Sequence, residues 1–455
     1  MADDPTVGDA IDRIPTGRYH WGLMVVVGGT WASMSAAILS ISFTLPIFID
    51  VWNLSGVAAG VLGSASLVGM MVGNTLGGRY ADHAGRKRTI TVGIVAFSLS
   101  TALTGLAVGL YSAMLFRFLT GVGLGAATVA GASYVTEHLP TAKRGRYVTY
   151  LEVLFSVGSL VTVAVAWLLL SKFPTDGTLF GVAAWRVFFA VGGAPVVLAL
   201  VVSRYLSESP YYLAEQGDLD GARDRLASIA RSNGVDPAGF PASLSRVESG
   251  GNGTGFSRLF DDDLLRTTLL VTGLWVAINL AYYGIFTWLP TTVENAGYVG
   301  DLYRYLLVVA VFQFLGQLSG AYLIDVVGRK WTLGSYMVVG GVATYAFAVA
   351  IPGNGAVGDQ LLFSVGVFAM GFTLFGAWAV LYAYTSELFP TEVRGSGLGF
   401  TGSVGKVAAT LGPVLFGSLA QFGYLVALAP VMTLLVVYGL LLLTFGRETS
   451  GETLS

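Results

Sequence analysis

The sequence predicts an all-α membrane protein of twelve transmembrane helices in two pseudo-symmetric six-helix bundles. Three observations predict it. The 455 residues are 54% hydrophobic and only 11% charged, whereas a soluble domain carries about 25% charged residues. Twelve apolar stretches are long enough to cross a hydrocarbon core, which takes about 20 helical residues. Loop motifs of the first half recur, in order, in the second.

The spans are expected at roughly 21–46, 56–78, 90–110, 111–136, 147–171 and 185–206, then 267–290, 303–324, 331–351, 360–385, 397–420 and 424–446. The 61 glycines suit close helix packing in lipid. Alternate loops, the termini and the central segment hold 20 of the 25 Lys and Arg residues. The positive-inside rule therefore puts both termini and the central segment in the cytoplasm. The acidic start, Met1 to Ile14, lacks the basic opening of a signal peptide.

The only long polar stretch sets the expected boundaries: 1–206 as the N-terminal bundle, 207–266 as a cytoplasmic linker, 267–455 as the C-terminal bundle. Inside the linker, Ala222, Leu226 and Ile229 share a face and predict a short amphipathic helix over Asp220 to Arg231. Asn233-Gly234 stops it, and Ser249 to Gly255 reads as a flexible tether.

The repeat is specific. Asp82-His-Ala-Gly85-Arg86-Lys87 recurs as Asp325-Val-Val-Gly328-Arg329-Lys330. Glu137-His-Leu-Pro140-Thr141-Ala-Lys-Arg144-Gly145 recurs as Glu387-Leu-Phe-Pro390-Thr391-Glu-Val-Arg394-Gly395. A parallel repeat of two six-helix bundles is a transporter architecture, with its site between the bundles near mid-membrane.

Several classes are disfavoured. There are no cysteines, and His20, His83 and His138 do not cluster with carboxylates, so neither metal nor cofactor is expected. A net charge of −2 gives no reason to expect nucleic acid. No nucleophile–base set or phosphate-binding loop suggests an enzyme.

A charge within hydrocarbon costs at least about 2.5–3.5 kcal/mol, so it is a functional candidate by default. Three qualify: Glu152 in the fifth span, Arg117 in the outer third of the fourth and Lys406 about three turns into the eleventh. Glu152 is read as a substrate contact or proton carrier, against a structural role as partner of Arg117 or of another helix. Lys406 is read as holding an anionic substrate, against snorkelling. Polar and aromatic lining is expected from Asn279, Tyr282, Tyr283, Gln313, Gln317, Trp378 and Tyr382, against an interfacial aromatic belt. Gly158 and Gly412-Pro413 suggest helix bends.

Gly78-Arg-Tyr-Ala-Asp82-His-Ala-Gly85-Arg86-Lys87 and Arg117-Phe-Leu-Thr-Gly121-Val-Gly123-Leu-Gly125 resemble the signature loop and fourth helix of the major facilitator superfamily. Glu208-Ser-Pro210, Tyr282-Tyr-Gly284 through Trp288-Leu-Pro290, and Tyr384-Thr-Ser-Glu387-Leu-Phe-Pro390 are similar to the metabolite:proton symporters, on the niacin and aromatic-acid side, near the sugar porters. That resemblance implies a cytoplasmic gate of Asp82, Gly85, Arg86, Glu137, Arg144, Asp325, Arg329, Glu387 and Arg394, with charges pairing across the bundles when the inside is closed. Sugar porters place a substrate-binding glutamine near Glu152, and the family motif implies a structural or coupling role for Arg117. Two departures count. Val276-Ala-Ile-Asn279 replaces the sugar porters' paired glutamines, and Trp31-Ala-Ser-Met34-Ser-Ala-Ala37 lacks the acid that proton-coupled relatives carry in the first helix.

The expectation is a secondary active transporter in the cell membrane, a monomer in the bilayer, taking up a small organic anion with a proton. The alternatives are an uncoupled facilitator or exporter, a sugar substrate, or a transporter-like sensor.

Overall fold

The computed structural model describes residues 6–171, 177–179, 181–236, 256–297, 300–352, 359–390 and 393–450. Its helices are α1 (Val7–Asp12), α2 (Arg18–Trp52), α3 (Gly56–Ala84), α4 (Arg86–Thr104), α5 (Leu110–Thr136), α6 (Arg144–Leu170), α7 (Ala184–Gly192), α8 (Val196–Tyr205), α9 (Pro210–Glu215) and α10 (Leu219–Ser232). The second half follows with α11 (Leu265–Ala296), α12 (Leu302–Val326), α13 (Arg329–Ala350), α14 (Gln360–Leu388), α15 (Arg394–Leu419) and α16 (Tyr424–Phe445).

The twelve expected spans are α2 to α6, α7 with α8, and α11 to α16. Among the described residues eleven such segments are apolar enough to cross a membrane by composition alone. The twelfth, α4, is the exception because its first turn is Arg86-Lys87-Arg88. That charged turn also corrects the third span, expected at 90–110: the helix occupies 86–104. The fifth span starts at Arg144 rather than 147, so Glu152 lies just over two turns in. The sixth is broken at Gly193–Pro195, where proline removes a helical N–H donor.

The amphipathic linker helix forms as α10, with Asn233 as its C-cap. It has company the sequence did not suggest. Val7, Ala10, Ile11 and Ile14 of the acidic N-terminal segment pack with Ala214, Ala222, Leu226 and Ile229 into a second small core. The tether 249–255 lies outside the described residues.

Each set of six spans packs within itself, and the halves meet along α3 against α15, α6 against α12 and α2 against α11. The α3–α15 contact is backbone on backbone: a Cβ added to Gly60 would lie 2.5 Å from the Pro413 carbonyl oxygen. Gly158 packs the same way against α2, its added Cβ 2.0 Å from the Ala32 carbonyl oxygen. It is thus a point of close contact between α6 and α2.

Candidate functional site

Glu152 projects from α6, half-buried, and accepts a hydrogen bond from the Trp31 indole Nε1 of α2 at 3.4 Å. The charge of Lys406 on α15 and the indole of Trp378 on α14 also act on this carboxylate. The Lys406 ammonium is 3.5 Å from the Tyr283 hydroxyl. It sits 5.3 Å from the Tyr283 ring centre and 5.8 Å from that of Trp378, within cation–π range. Behind these rings α11 and α14 build an aromatic wall. Tyr282 lies 5.3 Å from Trp378 and 5.2 Å from Phe375, and Trp275 lies 4.8 Å from Tyr382. Glu152, Lys406, Tyr282, Tyr283, Trp378 and Tyr382 are therefore brought together as one cluster between the two halves, the candidate chamber.

Four expected members stand apart. Arg117 is fully buried, but its guanidinium donates to Ser40 Oγ at 3.1 Å and the Ala37 carbonyl at 2.7 Å, both on α2. It is not a partner of Glu152; it ties α5 to α2. Asn279 is also fully buried, donating to Trp275 O at 2.9 Å and packed against Gly405 of α15. That hydrogen bond stays within α11, and among the described residues Asn279 Oδ1 has no partner. Gln317 accepts from Ser156 Oγ at 2.8 Å and so links α12 to α6 across the halves. Its Nε2 has no partner. Gln313, one turn away on the same face, packs against Gly371.

Trp31 escaped the sequence reading. A signal existed: a buried indole N–H needs an acceptor, and Glu152 is the one carboxylate well inside a span of the first half.

The charged repeat lies at one face, here the basic face. Arg86 Nε meets Glu137 at 2.9 Å, and its Nη2 meets Glu215 at 3.3 Å and Asp82 at 3.8 Å. Arg329 repeats this with Glu387 at 3.0 Å and Asp325 at 3.5 Å. Arg144 donates to Tyr211 Oη at 3.1 Å. Burial pushes the Glu137 carboxyl above its ordinary range, with Arg86 opposing. Arg394 opens α15 and, with Arg266, Glu387 and Arg447, lines a cavity of about 880 Å³. Among the described residues, none of these ion pairs joins the two halves.

Two further carboxylates complete the pattern. Glu208 accepts from the backbone N–H groups of Arg86 at 2.9 Å and Lys87 at 3.1 Å. Glu448 does the same for Arg329 at 2.8 Å and Lys330 at 3.2 Å. Each sits on a helix N-terminus, where the dipole favours an anion. The glycine before each helix, Gly85 (φ 92) and Gly328 (φ 102), leaves the carboxylate room. Glu448 was legible as a third repeat, since it follows the twelfth span as Glu208 follows the sixth.

The sequence model of the family described as Sugar (and other) transporter matches residues 23–455. The chain belongs to this family. As a family member it is a membrane transporter of small organic solutes, not an enzyme. It is 28% identical to the niacin transporter NiaP of Acinetobacter baylyi, over 98% of each chain. It is 25% identical to the benzoate transport protein of the same organism, over 92% of this chain and 87% of that one. Among solved structures, the xylose transporter XylE from E. coli, in a partially occluded inward-open conformation, superposes with a TM-score of 0.75 at 18% identity, covering 96% of this chain and all of that one. That likeness establishes the fold.

For this transporter the conformation follows from its own bonds. Ser64 Oγ to Thr410 O (2.7 Å), Tyr303 Oη to Phe43 O (3.0 Å) and Trp167 Nε1 to Asp301 (2.9 Å) all join the halves on the side away from the basic face. Between Ile38, Ser42, Tyr283 and Phe286 only about 20 Å³ remains, roughly the room of one water. Among the described residues no hydrogen bond or ion pair joins the halves at the basic face. The halves are thus joined on the side away from the basic face.

Proposed function

We propose that this transporter takes up a small, flat organic carboxylate together with a proton, by rocking its two bundles about the chamber. The observation that carries this reading is the Lys406 ammonium, flanked by Tyr283 and Trp378 and within the field of Glu152. A fixed cation beside ring faces suits an anion attached to a ring. The printed functions of the relatives, niacin and benzoate transport, support the same chemistry. Glu152 is the proton carrier. The basic face is cytoplasmic, as the positive-inside rule requires, in a cell membrane. The clusters around Arg86 and Arg329 form the cytoplasmic gate, each half's set meeting the other when that side closes. The protein acts as a monomer. The pairs with an exposed carboxylate, Arg86–Asp82 and Arg329–Asp325, are worth about 0–1 kcal/mol each, which suits a gate whose two states must be close in energy.

A second reading is an uncoupled facilitator. The observation favouring it is that Arg117 is held by Ser40 and Ala37 O of α2, and the stretch Trp31 to Ala37 of that helix carries no acid.

Uptake into proteoliposomes of labelled nicotinate, benzoate and xylose, with and without an imposed pH gradient, separates the readings. Accumulation of a carboxylate only with the gradient supports symport. Equilibration that ignores the gradient supports the facilitator, and uptake of xylose alone overturns the carboxylate assignment. Under symport, Glu152→Gln abolishes gradient-driven accumulation while counterflow exchange persists. Unchanged accumulation in that variant removes Glu152 from the coupling role.

A further inference from the structure

Glu152 and Lys406 are the two charged side chains that meet in the chamber, one on α6 of the first half and one on α15 of the second. Both flank the Trp378 side chain, with the Lys406 ammonium 5.8 Å from its ring centre, and among the described residues no ion pair within 4.0 Å joins them. The groups facing Glu152 from the elements around it are Trp31 on α2, Tyr282 on α11, Trp378 and Tyr382 on α14, and Lys406 on α15. Lys406 is the one basic side chain among these groups. The usual alternative counter-charge is missing too, because Arg117 is committed to α2.

We infer that proton and anion are coupled because the substrate carboxylate and Glu152 compete for the single cation Lys406. This rests on reading Lys406 as the anion's counter-charge. In the empty carrier the chamber holds one cation and one carboxylate. When a substrate carboxylate takes Lys406, a second negative charge enters a site of low dielectric, where like charges repel strongly and one carboxylate must take a proton. Glu152 is the group left without its cation, so it takes one proton from the water that admits the substrate. The balance is one anion in and one proton in, with none of the carrier's covalent bonds made or broken beyond the Glu152 O–H. The loaded and empty chambers carry the same net charge. No acid in the first helix is needed, because the second carboxylate of the coupling pair belongs to the substrate.

The charge balance has a consequence that a dedicated proton site elsewhere would not impose: every bound anion brings one proton. Calorimetric titration of the purified full-length protein at pH 7 in buffers of different ionisation enthalpy reads the protons taken up per ligand. Benzoate is the probe, because it has no ring nitrogen to titrate, with nicotinate beside it. The expected result is close to one proton per benzoate in the wild type and none in Glu152→Gln. Lys406→Arg keeps the cation and retains the uptake. Benzoate bound by the wild type without proton uptake overturns the competition while leaving the carboxylate reading intact. So does uptake undiminished in Glu152→Gln. Failure of the wild type to bind either carboxylate removes that underlying reading, and the competition with it. If Glu152→Gln does not fold, a second measurement decides. Wild-type uptake in proteoliposomes must be indifferent to an imposed membrane potential, and a severalfold dependence on it overturns the inference.

Discussion

At the scale of single residues, the informative comparison is between the two cations buried in the membrane. Arg117 and Lys406 both stood out in the sequence for the same reason, the cost of a charge in hydrocarbon. The structure gives them opposite circumstances. Arg117 spends its guanidinium on a hydroxyl and a carbonyl of α2 and is sealed from solvent. Lys406 keeps its ammonium beside two ring faces with part of its surface open. Residue type and depth alone could not separate these cases, because the difference lies in which neighbour arrives from another helix. Lys406→Gln keeps the stem but loses the charge, and is expected to weaken benzoate binding at least tenfold, about 1.4 kcal/mol. Lys406→Arg should recover most of it. Equal affinities in a binding titration across the three proteins would remove Lys406 from the site.

At the scale of elements, helix ends carry the most specific information. Gly85 adopts a backbone conformation that side-chain-bearing residues avoid, and its missing Cβ is where the Glu208 carboxylate rests. Gly85→Ala combines a strain of about 1–3 kcal/mol with loss of the cap. A lower melting midpoint and slower transport are expected, with Gly328→Ala matching it in the second half. A melting curve unchanged in both would show that the caps contribute nothing. His138, just beyond α5, is fully buried with Nδ1 against the Tyr134 carbonyl at 2.6 Å. Burial holds its imidazole down to about 3, against that hydrogen bond. The unfolded chain therefore binds this proton first, so stability is complete above about pH 6.5 and falls as pH drops below it. His138→Asn keeps a donor near the same carbonyl and should flatten the loss of melting temperature between pH 7 and pH 5. An unchanged slope would assign that loss to other groups. The helices themselves were legible in the sequence because hydropathy and length over 20 residues leave few alternatives. The break at Gly193–Pro195 and the docking of α1 on α10 were not. The first interrupts an otherwise continuous apolar run, and the second depends on a six-residue helix whose apolar face means little without its partner.

At the scale of the whole molecule, the duplication visible in two loop motifs reappears as two halves with matched charge clusters. The sequence could supply that symmetry but not the state of the carrier, since the same residues serve every state. Gly145 and Gly395 are repeat equivalents, both exposed, with open space where a Cβ would be. The absence of native cysteine makes Gly145→Cys/Gly395→Cys a clean pair for spin labels. The distance between them should shorten on binding of a carboxylate that favours closure of the basic face. A distribution indifferent to every substrate would argue against rocking. The closed side has a different character from the open one. Along α3 and α15 it is held by backbone contact, at Gly56 against Gly417 and Gly60 against Pro413, and among the described residues no ion pair crosses there. Closing the basic face instead means bringing together two surfaces rich in Arg and Lys. Mobile ions reach one of these gates and not the other. With a screening length near 8 Å at physiological salt and about 3 Å at 1 M, added salt should weaken the charge interactions made when the basic face closes and leave the glycine seam untouched. The ionic strength on one side of the membrane would then set how often the carrier turns its chamber toward the other.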